Sequence, residues 1–256
     1  MLEKLPIYIY FFSGTGNTFL IASKIHETFE KNGYESYLKT IRNKEKAFFP
    51  EKCHIGLVFP VAMQSSFPIV WDFIHNLPEG LGRKVFMADS MQIFSGGIVG
   101  PMKESLISKG YKCIGAKEFK MSNSMLTSQK KFPSEISKND KAVKEAEFYT
   151  LNLINEKTKW IKIPVFSDLM KSFSSDRKIW TSFSKKIKVD NDLCIKCGLC
   201  EKICPTSSVK IKNVVEIDYS FCISCMRCLN YCPKNAFIFG NKKIIQNKTV
   251  KINSIL

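Results

Sequence analysis

The first 156 residues alternate short apolar runs with segments whose apolar residues recur at helical spacing. Ile7 to Phe12 is a continuous apolar run that predicts a buried strand. Thr18 to Lys31 repeats apolar residues every three or four positions, with Gly33 behind it, which predicts a helix. Further strands are predicted at 34–38, 55–59, 84–88 and 113–119, and further helices at 69–77, 98–109 and 140–157. This alternation predicts an α/β fold: a doubly wound, five-stranded parallel sheet with helices on both faces.

Residues 159–187 interrupt the alternation. This segment is basic and contains two apolar triplets, each on one face of a predicted short helix. A membrane-surface or nucleic-acid patch is one interpretation. We favour a connector whose aromatic side chains pack between two domains, because each triplet is short and confined to a single face. The predicted domains are thus 1–158 and 188–256, and the triplets are Leu169, Met170 and Phe173, then Ile179, Trp180 and Phe183.

Eight of the ten cysteines lie between Cys194 and Cys232, in two copies of one pattern. Each copy reads C-x₂-C-x₂-C-x₃-C-P, the run that ligates iron–sulfur clusters in bacterial ferredoxins. Two zinc sites are the alternative, but zinc needs only four ligands and usually takes paired C-x₂-C units. We expect the fourth cysteine of each run to begin a short helix, with the following proline turning the chain. The copies are Cys194, Cys197, Cys200, Cys204 with Pro205, and Cys222, Cys225, Cys228, Cys232 with Pro233.

With these runs, residues 190–239 resemble the dicluster ferredoxins of bacteria. The resemblance implies a small α+β domain with pseudo-twofold symmetry and two [4Fe–4S] clusters close enough to exchange electrons. It also implies that the fourth cysteine of each run ligates the other cluster. One cluster would then take Cys194, Cys197, Cys200 and Cys232, and the other Cys222, Cys225, Cys228 and Cys204.

A short polar loop, residues 13–18, joins the first predicted strand to the first predicted helix. Its glycines let the backbone curl, and free N–H groups at the helix start face an anion. Two threonines and a serine add hydroxyl donors. The loop lacks the lysine of GxxxxGK[ST], the motif that binds nucleoside triphosphates, and it does not match G-x-G-x-x-G, the motif that binds dinucleotides. It therefore favours a phosphate monoester as the ligand. Its residues are Ser13, Gly14, Thr15, Gly16, Asn17 and Thr18.

This loop resembles the phosphate loop of flavodoxins, with Ser13, Thr15, Gly16 and Thr18 in matching positions. The resemblance extends over about 155 residues and implies FMN bound where the strand order of the sheet reverses. It places two further loops beside the flavin ring. Related proteins often carry a stacking tyrosine in the second of these, where this chain has Ser90 and Met91. The loop residues are Pro60, Val61, Ala62 and Met63, then Ser90, Met91 and Gln92; Met63, Phe67 and Phe94 are also explained as core or lid residues.

The charge is strongly basic: 39 Lys and Arg against 23 Asp and Glu give a net charge of +16. Residues 157–256 carry most of this excess, which favours an acidic partner. No nucleic-acid recognition motif accompanies it. The first apolar run is too short for a secretory signal, and no run approaches the roughly 20 residues of a membrane helix. We therefore expect a cytoplasmic protein without a transmembrane segment, in which clustered cysteines bind metal.

The order of the two halves resembles the flavodoxin–ferredoxin fusion proteins of anaerobic bacteria and archaea. That resemblance implies an electron-transfer protein that relays single electrons between two [4Fe–4S] clusters and FMN, served by a redox partner with an acidic docking surface. One alternative is an FMN-dependent reductase of a small substrate, fed by its own ferredoxin domain. A second is a basic, cluster-bearing binding or sensing module with an empty flavodoxin domain. The three histidines are isolated and predict no catalytic triad.

Overall fold

The computed structural model describes residues 1–43, 45–92, 97–127, 129–161, 177–247 and 250–256. The helices are α1 (Asn17–Lys31), α2 (Pro68–His75), α3 (Val99–Ser108), α4 (Phe132–Ile154), α5 (Arg177–Ser184), α6 (Leu199–Lys202) and α7 (Arg227–Tyr231). The strands are β1 (Ile7–Phe11), β2 (Ser36–Thr40), β3 (His54–Ala62), β4 (Ser65–Ser66), β5 (Lys84–Met91), β6 (Lys112–Lys120), β7 (Ile187–Val189), β8 (Val209–Ile211), β9 (Val215–Ile217) and β10 (Phe237–Phe239). None of the described helices has the length and apolar character to cross a membrane.

Five parallel strands form the central sheet in the order β2-β1-β3-β5-β6. The short strand β4 pairs antiparallel with the end of β3. This order is the flavodoxin-like variant of the doubly wound fold, in which ligands bind at the carboxyl ends of the strands where the order reverses. The prediction of a doubly wound, five-stranded parallel sheet is confirmed.

The sheet is covered on both faces, as the apolar runs of its strands require. On one face α1 and α4 pack their apolar stripes, including Ile21, Ile25 and Phe29, which are fully buried. On the other face α2 and α3 bury Val70, Phe73 and Met102. The two apolar layers hold the carboxyl ends of β1, β3 and β5 in fixed relative positions.

Helix α4 begins at Phe132, eight residues before its predicted start at Asp140. Its first two turns are mostly polar, and their two large apolar residues, Phe132 and Ile136, are only partly buried. These turns are instead held by side chains that bond the loop after β6: Asn139 Oδ1 accepts the N–H of Ser122 at 2.9 Å, and Glu135 accepts the N–H of Asn123 at 2.8 Å. Tertiary hydrogen bonds therefore extend a helix that the hydrophobic pattern alone does not predict.

The cysteine-rich half contains two antiparallel strand pairs, β7 with β10 and β8 with β9, and two short helices. Its repeat is visible in the backbone: left-handed φ values recur at the same place in each run. The expectation that the fourth cysteine begins a helix is wrong. The third cysteine lies inside α6 or α7, and the fourth follows the helix end, because the left-handed residue after the second cysteine starts the helix there. The equivalent left-handed pairs are Lys196 with Ser224, Gly198 with Met226, and Ser207 with Asn235.

The two halves pack closely on each other. Helix α5 includes Trp180, which is 4% exposed and packs against Phe67 with ring centroids 5.3 Å apart. Phe183 of the same predicted triplet packs against Phe239 of the cysteine-rich half, whereas Ile179 is exposed. The connector stays a prediction, and the first triplet (Leu169, Met170, Phe173) lies outside the described residues. Ile255 is fully buried and belongs to the same apolar cluster as residues of β1, α1 and α4. The domain limits at 158 and 187 stay a prediction.

Candidate functional site

The loop between β1 and α1 presents backbone donors at the switch point of the sheet. Gly16 has φ +102° and precedes the first turn of α1. Ser13 is fully buried, and its Oγ accepts the N–H groups of Gly16 at 3.1 Å and Phe19 at 3.4 Å. Within the described residues, the N–H groups of Thr15, Asn17 and Thr18 have no protein acceptor. An anion at this helix start would satisfy them.

Two of the predicted hydroxyl donors, those of Thr15 and Thr18, each share a hydrogen bond with a serine hydroxyl. Each pair keeps one hydrogen atom that can be donated to a ligand. Thr15 Oγ1 lies 2.8 Å from Ser124 Oγ, and Thr18 Oγ1 lies 2.7 Å from Ser90 Oγ. In a hydroxyl–hydroxyl pair only one group donates to the other, so the second keeps its hydrogen for another acceptor. Both pairs join the loop to neighbouring strand ends and so fix its position.

The Asn17 side chain belongs to a buried polar network at the edge of the cavity. Its Nδ2 donates to Ser122 O at 2.7 Å, and its Oδ1 accepts from Asn247 Nδ2 at 2.9 Å and from Ser122 Oγ at 3.2 Å. This network fixes the start of α1, so the backbone N–H of Asn17 is held in position for a ligand. Ser13 and Gly16 shape the loop without lining the cavity.

A cavity of about 280 Å³ lies at the carboxyl end of the sheet, just under the usual range of about 300–1,000 Å³ for small-molecule sites. The three predicted loops meet there, and both halves of the protein contribute to its wall. Its lining from the predicted loops is Gly14, Thr15, Asn17, Thr18, Pro60, Val61, Ala62, Met63, Phe67, Ser90, Met91 and Gln92. Phe94 lies outside the described residues.

Part of the wall comes from residues that the sequence did not indicate as part of this site. These are the loop after β6, the aromatic residues of α5 and the middle of the second cysteine run. The first of these was predictable in principle, since it follows the carboxyl end of a parallel strand, where such sites form. The residues are Met121, Ser122, Asn123, Ser124, Met125, Trp180, Phe183, Ser224, Cys225 and Met226.

The second cysteine run lies directly against the phosphate loop. A Cβ atom on Gly14 would lie 2.1 Å from the backbone oxygen of Cys225, so only glycine allows this approach. Arg227, which is 4% exposed, donates from Nη2 and Nε to Ser13 O at 2.9 and 3.2 Å. It also donates to the carbonyls of Ile203 and Ile255. The loop that would bind a phosphate and the loop that would bind a cluster therefore share a backbone contact and a buried cation.

The structure gathers the eight cysteines into two sets drawn from both runs. Cys194, Cys197, Cys200 and Cys232, here called the outer set, line one small cavity. Cys204, Cys222, Cys225 and Cys228, the inner set, act electrostatically on one another. Cys197 is exposed, whereas Cys225 lines the large cavity. Cys200 also acts on Cys228, so the two sets are neighbours.

Each fourth cysteine accepts a backbone hydrogen bond on sulfur. Ser208 donates its N–H to Cys204 Sγ at 3.2 Å, and Ala236 donates to Cys232 Sγ at 3.3 Å. Such bonds are one of the means by which a protein tunes a cluster. Burial raises the pKa of Cys225 to about 12, so this thiol is protonated until a metal displaces its proton. Among the described residues, no three His, Cys, Asp or Glu side chains are grouped to hold a single metal ion.

A buried acid lies next to the cavity wall. Asp89 precedes Ser90 on β5 and is fully buried, and within the described part of the chain neither of its carboxyl oxygens has a hydrogen-bond partner. Burial, and then the Glu118 carboxyl opposite it on β6, raise its pKa well above the usual value. Burial therefore favours the protonated form of Asp89, and sequence reasoning did not indicate this residue.

Comparison with known protein families identifies the domain type of the cysteine-rich segment. The sequence matches the family model of the 4Fe-4S dicluster domain over residues 193–237. Residues 193–237 form a 4Fe–4S dicluster domain. The prediction of two [4Fe–4S] clusters is thereby confirmed for the domain, which has an electron-transfer role. The assignment of individual cysteines as ligands stays a prediction. Among proteins with curated descriptions, none matches the chain.

Solved flavodoxins resemble the amino-terminal half at low sequence identity. A flavodoxin from Streptococcus pneumoniae is 14% identical, with 59% of this chain and 99% of that chain covered and a TM-score of 0.45. Flavodoxin 2 from Bacillus cereus is 15% identical, with 59% and 99% covered and a TM-score of 0.46. The flavodoxin of Megasphaera elsdenii is 21% identical, with 56% and 97% covered and a TM-score of 0.39. The strand order itself, rather than these similarities, identifies the fold as flavodoxin-like.

Proposed function

We propose that this protein relays single electrons between an external redox partner and bound FMN, through two [4Fe–4S] clusters held by the outer and inner cysteine sets. The observation that carries the proposal is the position of Cys225, which both belongs to the inner set and lines the cavity beside the phosphate loop. When bound, FMN accepts or donates one or two electrons, so it joins one-electron and two-electron partners.

The cavity has the chemistry that FMN requires. Free N–H groups of the loop and the hydroxyls of Thr15 and Thr18 face the position of a phosphate. Apolar side chains from both halves, including Met63, Met91 and Trp180, line the rest and suit a flat aromatic ring.

The thiol sets suit cubane clusters better than zinc. The outer set surrounds a small cavity with four sulfur donors, and among the described residues no three thiols are grouped closely enough to hold a single ion. The fourth thiol of each set comes from the other run, as in the two-cluster ferredoxins.

The two sets are arranged in series between solvent and cavity. The outer set includes the exposed Cys197 and lies beside Ile195, which is 58% exposed, and the lysines Lys196 and Lys234. An acidic redox partner would be attracted to this face by the net positive charge. The inner set would then pass electrons to or from the cavity.

The test is cofactor analysis of protein purified without oxygen. We expect about eight iron atoms and one FMN per chain, because each of the two [4Fe–4S] clusters contains four iron atoms. Two zinc ions in place of iron would overturn the assignment of the cysteines. Iron without any flavin binding would favour the basic binding module instead, and turnover of a small substrate by the flavin would favour the reductase.

A matched pair of variants tests the phosphate loop. Thr15→Val removes one hydroxyl and is expected to weaken FMN binding by about tenfold, equal to about 1.4 kcal/mol, with riboflavin binding unchanged because riboflavin lacks the phosphate. Thr150→Val is the control, since this buried hydroxyl bonds only Ala146 O within α4, far from the cavity. Equal loss of FMN and riboflavin in Thr15→Val would contradict a phosphate contact.

A further inference from the structure

The two cysteine runs differ at one position that matters electrostatically. The residue before the third cysteine is Leu199 in the first run and Arg227 in the second. Leu199 borders the cavity of the outer set. Arg227 occupies the equivalent place in the second run, between Cys225 and Cys228, and lines a cavity together with Cys204 of the inner set. The pseudo-twofold repeat thus provides a comparison within one chain: the same site with and without a cation.

The position of Arg227 makes its charge effective. It is 4% exposed, its guanidinium donates to three backbone carbonyls, and it lies 5.4 Å from the centre of the Phe12 ring. Within the described ranges no carboxylate forms an ion pair with it. Burying a cation without an anionic partner is costly, so a nearby negative group is expected to balance it.

We propose that Arg227 sets the reduction potential of the inner [4Fe–4S] cluster above that of the outer cluster, so that electrons collect beside the flavin cavity. This inference rests on the proposed function. A cluster with four thiolate ligands carries a charge of about −2 when oxidised and about −3 after it gains one electron from an external donor. A fixed positive charge stabilises the more negative state more strongly, which raises the potential.

The exposed lysines near the outer set do not cancel this difference. Lys196 and Lys234 lie at the surface, where water and salt screen them. The Coulomb energy of a charge pair at a given distance is about four times larger at an effective dielectric constant of 20 than in bulk water. A single buried guanidinium therefore outweighs several solvated ammonium groups at similar distances.

The experiment is a potentiometric titration of the anaerobic holoprotein, with each cluster followed by electron paramagnetic resonance. Arg227→Gln is expected to lower the potential of one transition only, by at least 59 mV, which corresponds to a tenfold change in a one-electron equilibrium. Arg227→Lys keeps the charge and should shift that transition less. Equal shifts in both variants would mean that the hydrogen bonds act and not the charge, and unchanged potentials would equally overturn the proposal.

Leu199→Arg provides a test that leaves Arg227 in place. It adds a cation beside the outer set and should raise the lower-potential transition toward the higher one. If it instead raises the higher transition, or moves neither, the proposal is wrong even where the Arg227 variants lose their inner cluster. Iron and flavin content and the presence of two one-electron transitions in the unaltered protein test the proposed function separately.

Discussion

Gly14→Ala probes the contact between the phosphate loop and the cluster-bearing loop. The added Cβ would lie 2.1 Å from the Cys225 carbonyl oxygen and 3.2 Å from its carbonyl carbon. Ordinary contacts at such a Cβ are 3.4–4 Å, so the two loops must separate by about 1.3 Å. Both partners are backbone, and neither can rotate away. Overpacking of this kind costs about 1–3 kcal/mol, and each kcal/mol lowers the melting temperature by about 2–4 °C for a chain of this size.

Two measurements on the holoprotein check this prediction: thermal unfolding without oxygen, and the rate of cluster-to-flavin electron transfer after rapid reduction. Gly14→Ala should lower both. Gly115→Ala is the matched control, because its Cβ would meet the Thr158 side chain at 2.7 Å, away from the cavity, and should affect stability alone. If Gly14→Ala keeps its stability within about 0.5 kcal/mol and transfers electrons at the original rate, the loops are not in the contact described.

Two further substitutions test buried polar groups. Burial, and then the Glu118 carboxyl, raise the pKa of Asp89 in the folded state above its unfolded value of about 4, so this group makes the protein less stable as the pH rises above about 4. Asp89→Asn removes the ionisation and should therefore stabilise the protein at pH 7, with the gain shrinking toward about pH 4 in urea titrations. Asn17→Ala leaves the Ser122 carbonyl unpaired and should cost about 2–4 kcal/mol by the same method, whereas the exposed Asn76→Ala should change stability by less than about 0.5 kcal/mol. A pH-independent difference for Asp89→Asn, or equal costs for the two asparagine variants, would contradict these accounts.

The sheet could be predicted because its strands are buried on both faces and so are nearly continuous apolar runs. The phosphate loop could be predicted because a polar, glycine-containing turn between a strand and a helix has few other roles. The reason for Gly14 was only partly predicted, however. Gly16 has the left-handed backbone that a glycine supplies, whereas Gly14 is required by the approach of Cys225 from the other half.

The missing parts of the site depend on contacts between residues far apart in the chain. The loop from Ser122 to Met125 is short and polar, and it becomes part of the cavity only because Asn139 and Glu135 hold it from α4. Arg227 lies 214 residues from the Ser13 carbonyl to which it donates. Neither hydrophobic periodicity nor motif spacing can predict such a long-range hydrogen bond, because it depends on how the two halves of the protein pack.

This packing joins the proposed phosphate site to the proposed inner cluster site. Arg227 fixes the Ser13 carbonyl and thereby the direction of the free N–H groups in the phosphate loop, while its charge acts on the inner cysteine set. A phosphate bound at the loop and a negative charge added to the inner cluster would therefore both interact electrostatically with the guanidinium of Arg227. Coupling between binding equilibria is reciprocal, so any effect of flavin on the cluster's potential implies an equal free-energy effect of cluster reduction on flavin affinity. A rigid contact that merely shortened the path for electrons would produce no such linkage, whereas a shared buried cation must.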